Sequence, residues 1–457
     1  MNISRPGLAI ATLSLTTMTL APALAQDGTG LRGVLSFSQG IEYSDNPELL
    51  TTSPEGGFTS VTGLGFSLSS ETRTESFSLN LGTSLEGGIG SSSTEDFEFK
   101  NHDASLRYDR EGANSNLSFS ARYREFDIED DIFGFFVDGE FDPDALIIDG
   151  GTRETTRFFG RYETGVEGPF GLVLTARHNI DKYSDTIDPE LVDQDSTRVD
   201  AVARFRINPA LSARAVAGYG HTDEEDLLST SHRTKYVGIG LETETAGGLS
   251  YTGDITAEQT ETYELGALTS DDSGIGIEIG ATLERTNGSI GVNLGSHIDD
   301  SGRRTTASVN RSIDLPNGSL FLSLGVADQE GEDIEFTTQV SYTREYSDSV
   351  IQADIIQSPS TIAGDAFLNT VVRLNYMQEI NAISSWDAGF SYGSANEFGE
   401  PDGDKRTSAT VAYNRDLTED WNLRTGFEYI LIEDDGGPDR SSNTVFVTIG
   451  RDFSFGF

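Results

Sequence analysis

The sequence predicts an all-β protein: a transmembrane, antiparallel, up-and-down β-barrel of about 22 strands, with about 18 to 20 as the alternatives and without a plug domain. Three observations predict this fold. Apolar and polar residues alternate along segments of roughly ten residues or more throughout the chain, as they do on half-buried strands. After Ala25, no apolar run reaches the roughly 18 residues that a membrane-spanning helix requires. The chain also ends on a strand with alternating aromatic residues.

The last segment, from Ser442 to Phe457, shows this alternation most clearly. Because neighbouring strand side chains point to opposite faces, one face of the segment is apolar and the other is polar, with interruptions at Phe446 and Arg451. The apolar positions are Val445, Val447, Ile449, Phe453, Phe455 and Phe457. The terminal Phe457, with Phe453 and Phe455 before it, resembles the signal that the barrel-assembly machinery recognises.

The composition is compatible with such a barrel and excludes other classes. A net charge of −44, 36 % hydrophobic residues and a mean hydropathy of −0.33 would also suit an acidic disordered chain, but Pro is scarce at 12 and aromatic residues are plentiful, with 26 Phe and 15 Tyr. A membrane barrel has low hydropathy because only every second strand residue meets lipid. The absence of Cys excludes a disulfide framework, and the strong negative charge opposes nucleic acid as a partner.

The N-terminal segment 1–25 has the layout of a signal peptide. Arg5 supplies the positive charge, Leu8 to Leu20 form a mainly apolar stretch, and Ala23-Leu24-Ala25 predicts cleavage between Ala25 and Gln26. The mature chain, 26–457, is then one barrel domain in the outer membrane of a Gram-negative bacterium. Outer-membrane lipid, lipopolysaccharide and the barrel-assembly machinery are its expected partners.

The strand-like segments begin at Leu31, and the connections between them alternate between long and short. A long acidic connection, 45–57, follows the first strand, and a short turn near Arg73 joins the second strand to the third. On the first strand, Val34 to Tyr43, one face carries Leu35, Phe37, Ile41 and Tyr43.

Three later turns have the chemistry of tight hairpins: Asn208-Pro209-Ala210, Asn287-Gly288 and Pro316-Asn317-Gly318. Asn and Gly tolerate the positive φ that a tight turn requires, so these positions predict hairpins joining neighbouring strands. Helical periodicity is absent from the pattern, and no segment reads as a separate globular domain or linker.

The stretch Gly40-Ile41-Glu42-Tyr43-Ser44-Asp45-Asn46-Pro47 resembles the first-strand signature of the outer-membrane β-barrel porin type-2 family. The terminal Phe457 agrees with that resemblance. The resemblance implies a large barrel without a plug, of a kind often encoded with surface-polysaccharide machinery.

The predicted inner wall is rich in arginine. If the apolar residues of each strand face lipid, the alternate positions face inward, and nine Arg fall on them: Arg107, Arg122, Arg124, Arg157, Arg161, Arg177, Arg204, Arg206 and Arg214. Guanidinium groups stay charged and bind carboxylate or phosphate, so these residues predict a constriction that attracts anionic solutes. In the alternative, each Arg pairs with a wall carboxylate such as Asp109, Glu163, Asp200 or Glu242.

Three long connections are acidic, at 127–151, 185–195 and 223–226. Carboxylate clusters can bind divalent cations weakly, although no segment has the spacing of a high-affinity calcium loop. The alternative is a solvated acidic surface that opposes aggregation. An apolar run at 132–137 indicates that the largest connection folds inward, packs on the rim or touches lipid.

These features predict an outer-membrane, porin-like channel for passive passage of small, anionic solutes, with no cofactor. The alternatives are a barrel that secretes exopolysaccharide or capsule, and a structural or adhesive barrel whose acidic loops are the working part. An enzyme is not predicted, because His221 near Asp223 and His297 near Asp299 lack any accompanying catalytic motif.

Overall fold

The computed structural model describes residues 30–47, 49–52, 55–88, 97–128, 136–137, 140–141, 151–165, 168–186, 191–299, 301–362, 365–399, 403–433 and 437–456. The predicted signal peptide 1–25, its cleavage position at Ala25 and Gln26, and the terminal Phe457 lie outside the described residues. No helix in the described part of the chain is long and apolar enough to cross a membrane.

The regular structure of the described residues is entirely β, and it comprises 24 strands. In chain order they are β1 (Arg32–Ser44), β2 (Gly57–Glu71), β3 (Glu75–Gly88), β4 (Glu98–Glu111), β5 (Ser115–Asp127), β6 (Phe136–Val137), β7 (Glu140–Phe141), β8 (Thr152–Thr164), β9 (Phe170–Ser184), β10 (Gln194–Asn208), β11 (Leu211–Glu224), β12 (Ser231–Glu244), β13 (Leu249–Glu264), β14 (Ala267–Arg285), β15 (Gly288–Asp299), β16 (Gly302–Leu315), β17 (Gly318–Gln329), β18 (Glu335–Glu345), β19 (Ser349–Ile362), β20 (Asp365–Asn381), β21 (Ser384–Glu397), β22 (Asp404–Asp416), β23 (Trp421–Glu433) and β24 (Arg440–Gly456).

The sheet closes on itself into a barrel of 22 strands. Each barrel strand pairs antiparallel with the next one along the chain, and β1 pairs antiparallel with β24 along its whole length, from Arg32 opposite Gly456 to Ser44 opposite Thr444. The short strands β6 and β7 form a separate two-stranded hairpin. The predicted all-β, antiparallel barrel of about 22 strands is therefore confirmed; its membrane-spanning position and the absence of a plug stay predictions.

The two ends of the barrel differ in the length of their connections. The terminal end, where β1 begins and β24 ends, carries tight turns, including the three that the sequence predicts. At two of them, Gly288 has φ +111° and Asn317 has φ +64°, the positive values that these residue types tolerate. The opposite end, called the loop end here, carries the long connections, including 128–151 between β5 and β8.

The apolar rows point outward and are exposed, as the alternation predicts. Examples at the closure of the barrel are Leu35, Ile41, Val445, Val447 and Phe453. Since directly paired residues on neighbouring strands share a face, the register carries this assignment from strand to strand. It also explains the two interruptions in the last strand: Phe446 pairs with the inward Glu42, and Arg451 lies outside over the ring of Trp421.

Candidate functional site: the inner wall of the barrel

The register places all nine predicted arginines on the inward face. Arg214 pairs with Arg204 across β11 and β10, Arg122 with Arg157 across β5 and β8, and Arg124 with Thr155 across the same two strands. Since alternate residues of each strand share a face, Arg206, Arg161, Arg107 and Arg177 follow in the same register.

Six of the nine arginines lie against a carboxylate. The pairs are Arg107–Asp109 at 2.6 Å, Arg122–Asp103 at 3.7 Å, Arg157–Asp181 at 2.9 Å, Arg161–Glu163 at 3.7 Å, Arg204–Glu242 at 3.6 Å and Arg214–Asp254 at 2.5 Å. Two others, Arg124 and Arg177, lie over the rings of Phe126 and Phe159. Three of the four pairing carboxylates named from the sequence are in this set; the fourth, Asp200, binds Arg198 instead, at 3.2 Å.

Glycines on the inward face let several of these contacts reach across a whole strand. Arg214 on β11 and Asp254 on β13 are separated by Gly240 of β12, where an added Cβ would overlap the Asp254 carboxylate. Glu258 on β13 likewise passes over Gly276 of β14 to accept a hydrogen bond from His297 on β15, at 2.8 Å. The carboxylates thus lie flat along the wall because no side chain stands between the partners.

Gly218 of β11 makes room for a similar contact between β12 and β10. The Tyr236 hydroxyl on β12 donates a hydrogen bond of 2.7 Å to Asp200 on β10, and a Cβ at Gly218 would overlap the tyrosine ring. Arg198 completes this group through its bond to the same carboxylate. The sequence analysis missed Arg198, although its position two residues before Asp200, on the same face, carried the signal.

The charge of the inner wall changes sign between β11 and β12. The inward faces of β4, β5 and β8–β11, called the arginine sector, hold the nine arginines with Arg153 and Arg198. The inward faces of β12–β16, called the carboxylate sector, carry one Arg or Lys among their described residues, Arg304. Its acids are Glu242, Glu244, Asp254, Glu258, Glu264, Asp272, Glu278, Glu284, Asp299 and Asp314.

The inner wall is buried at the loop end and exposed toward the terminal end. Arg153 and Arg157 both bind Asp181 near the loop end, where the Arg153 and Asp181 side chains are each 4 % exposed. Near the terminal end, the side chains of Arg107 and Arg161 are 70 % and 50 % exposed. The lumen is therefore open to solvent toward the terminal end and filled at the loop end.

Apolar residues contribute to the filling of the loop end. Ile128, the residue after β5, packs with Leu191 and Tyr183 in a buried cluster. On β23, Ile430 and Ile432 point inward and are fully buried, although inward positions elsewhere on that strand are polar. Apolar side chains on an inward face are stable only where water is excluded, so these positions mark the closed region of the lumen.

A hydrogen bond joins two distant regions of the wall at this level. Arg406 Nη1 on β22 donates to the carbonyl of Ile128 at 3.3 Å, and the Arg406 side chain is 1 % exposed. The shorter path around the sheet between them crosses β4, β3, β2, β1, β24 and β23, about 34 Å at the usual strand spacing. The contact therefore crosses the lumen instead of following the wall.

The remaining predicted features are only partly within the described structure. Phe453 and Phe455 lie outward and exposed on β24. Of the largest acidic connection, Asp127 is described and binds Lys100 at 2.9 Å, whereas 129–135 lie outside the described residues. Among the described residues, no three His, Asp or Glu side chains are grouped to hold a metal ion. Weak divalent-cation binding by the acidic loops stays a prediction.

The two histidines considered for catalysis lie on opposite sides of the wall. His221 contacts Asp223 at 2.9 Å on the outward face of β11. His297 points inward and contacts Glu258, whereas its sequence neighbour Asp299 binds Arg304 at 3.0 Å. The expected proximity of His297 to Asp299 therefore produces no pair, because His297 binds Glu258 two strands away on β13, whereas Asp299 binds Arg304 on the neighbouring strand β16.

No protein-family model matches the chain, and no curated protein matches it. Its fold is similar to solved structures of large barrels. The FrpB iron transporter from Neisseria meningitidis aligns with a TM-score of 0.58 at 7 % identity, covering 92 % of this chain and 82 % of that one. The ferric-catecholate import receptor Fiu from E. coli K12 aligns with a TM-score of 0.55 at 11 % identity, covering 94 % and 82 %. The siderophore receptor PirA from Acinetobacter baumannii aligns with a TM-score of 0.52 at 8 % identity, covering 94 % and 81 %.

Proposed function

We propose that the chain is an outer-membrane channel for small hydrophilic solutes, held closed at its loop end in the conformation described. The observation that carries the proposal is the solvent-exposed, charged inner wall of a closed barrel, together with an exposed apolar outer wall. A barrel filled along its whole length would bury its inward charges, yet Arg107, Arg161 and Arg204 remain exposed.

The outer wall supports placement in a membrane. Rows of large apolar side chains are exposed around the closed sheet, among them Ile239, Ile255, Ile275 and Leu324. Each Å² of apolar surface removed from water contributes about 25 cal/mol, so a continuous apolar belt is strongly stabilised by lipid. The similarity of the fold to outer-membrane iron and siderophore transporters agrees with this placement, and the chain's own cargo is a separate question.

The inner wall attracts anionic solutes less strongly than the row of arginines alone predicts. Six of the nine arginines lie against carboxylates, and the carboxylate sector adds negative charge beside them. Pairing of this kind lowers the attraction that a guanidinium exerts on a passing anion. The proposed cargo is therefore a small hydrophilic solute, without a general preference for anions.

Planar-bilayer recording tests the proposal. Purified, folded protein inserted into a bilayer is expected to give stepwise conductance that disappears when the protein is denatured before insertion. Reversal potentials in a salt gradient then measure selectivity. Folded protein that never conducts, at any voltage, would contradict the channel and favour a structural barrel.

A second candidate is an export barrel for a surface polysaccharide, for which the closed loop end is the specific supporting observation. A polymer can pass only if the loop end opens, so the contact between Arg406 and Ile128 would break during export. Deletion of the gene is expected to remove surface glycan if this candidate is correct. If surface glycan is unchanged on deletion and the protein conducts in bilayers, the export function is excluded and the solute channel is supported.

A further inference from the structure

The inner wall carries a charge boundary within a single cross-strand row. Running from β10 to β14, the paired inward positions are Arg204, Arg214, Gly240, Asp254 and Glu278. Positive groups occupy the first two strands and negative groups the last two, with a glycine between them. Strands in a sheet lie about 4.8 Å apart, so the row changes sign within about 10 Å.

Several carboxylates on the negative side of this boundary have no cationic partner in the wall. Five exposed inward carboxylates of the carboxylate sector form no ion pair with a Lys or Arg of the described chain: Glu244, Asp272, Glu278, Glu284 and Asp314. Asp254 is 9 % exposed, and while its Oδ2 binds Arg214, its buried Oδ1 accepts no hydrogen bond within the described structure. The ion pair with Arg214 and this burial keep Asp254 from contact with a solute, so the exposed carboxylates are the ones that a cationic group can reach.

The positive side of the boundary is also exposed to the lumen. Arg206 lies exposed on β10, pairs with Ser212 and stands in the same row as Glu242 on β12. Glu244 is the next inward residue on β12, about 12 Å from Arg206 when two strand spacings are combined with an offset of two residues along the strand. A fixed guanidinium and a fixed carboxylate at this separation match a solute that carries both charges on one short molecule.

We infer that the boundary between the arginine and carboxylate sectors is a selectivity site for small zwitterionic solutes, with the anionic group toward Arg204 and Arg206 and the ammonium group toward Glu244 and Glu278. The inference rests on the proposed channel and names its substrate class. A solute of single charge gains attraction on one sector and meets repulsion on the other, whereas a zwitterion is attracted by both at once.

The expected order of permeation can be measured in proteoliposomes by osmotic swelling. Glycylglycine, a zwitterion, is compared with an uncharged polyol of similar mass, a dicarboxylate and a diamine. Glycylglycine is expected to enter faster than the polyol. Two variants each weaken one side of the boundary: Arg206→Gln, and the combined Glu244→Gln, Glu278→Gln and Glu284→Gln. Each is expected to lower the glycylglycine-to-polyol ratio roughly twofold to fivefold, as loss of exposed ion pairs does, and to leave polyol uptake unchanged.

The control is Glu345→Gln, which removes an exposed inward carboxylate of β18, outside the carboxylate sector. It is expected to keep the parental ratio. A parental ratio near one, or a ratio that survives both boundary variants, would overturn the zwitterion site while the channel stands. If no solute enters vesicles that contain folded protein, the channel itself is overturned.

Discussion

At the scale of single residues, the inward glycines determine which charges can meet. Gly240 and Gly276 each lie beneath a carboxylate that reaches a partner two strands away. A methyl group at either position would force the carboxylate away from the wall, because the space above the backbone is already occupied. Glycine costs stability in a strand, so its use at these positions is explained by the contacts that it permits.

Gly240→Ala tests this at one position. The new Cβ overlaps the Asp254 carboxylate, so the ion pair with Arg214 is expected to break and the free energy of unfolding to fall by about 1–3 kcal/mol. The change is measured by thermal unfolding in detergent, with the loss of the compact band on a gel of otherwise unheated samples as the readout. Gly160→Ala is the matched control, because a Cβ there meets nothing within 4 Å. Equal stability of the two variants would show that the pair contributes nothing.

Alternation in the sequence predicts the face of each residue, but it does not predict the partner. All nine arginines assigned inward from the sequence lie inward in the register. Partners on the same strand, such as Arg107 and Asp109, are visible as an i, i+2 pair. The partner of Arg214 lies 40 residues away on a strand that it does not pair with, so finding it requires the register of three strands and a glycine between them.

At the scale of elements, turn chemistry and strand length together explain why the number of strands was predictable. Two of the tight turns contain a residue with positive φ, Gly288 and Asn317, and the sequence shows Asn-Gly at both. The two-residue hairpin β6–β7 was not predicted, because its strands are too short for alternation to be seen.

Closure between the first and last strands provides an element-scale prediction. The hydroxyl oxygens of Ser44 and Ser442 lie 2.7 Å apart on the inward face, and the chain has no Cys of its own. Ser44→Cys with Ser442→Cys is therefore expected to form a disulfide on oxidation, which links β1 to β24 and raises the temperature at which the compact gel band is lost.

The matched control pairs Ser44→Cys with Asn443→Cys. Residue 443 is adjacent in sequence but points to the other face of β24, so no disulfide is expected. The temperature at which this variant loses its compact gel band should therefore be the same with and without reductant. A disulfide in the control but not in the test variant would mean that β24 is shifted by one residue against β1, which would reverse its inward and outward faces.

At the scale of the whole molecule, the barrel is asymmetric along its axis. The terminal half holds exposed charges in an open lumen, and the loop half holds buried arginines with Ile430 and Ile432. The sequence predicts the inner and outer faces of the barrel but not this asymmetry. Inward residues alternate with outward ones in the same way whether the lumen in front of them is filled or open. The inward isoleucines of β23 were a local sign of this asymmetry.

The contact between Arg406 and Ile128 predicts how the barrel opens. It joins walls that are about 34 Å apart along the sheet, so it holds the two sides of the loop end together. Arg406→Ala removes the only donor in that hydrogen bond and leaves the strands intact. In planar bilayers the variant is expected to spend a larger fraction of time open than the parent, at similar unitary conductance, because the charged wall of the terminal half is unchanged.

Arg424→Ala separates this effect from a general weakening of the wall. Arg424 binds Asp387 at 2.8 Å, two strands along the same side of the barrel, so its loss breaks an ion pair within the wall and no contact across the lumen. Its open fraction is expected to match the parent even if its thermal stability falls. If both variants open equally, closure depends on the stiffness of the wall; if neither opens, the hydrogen bond across the lumen is not what keeps the loop end shut.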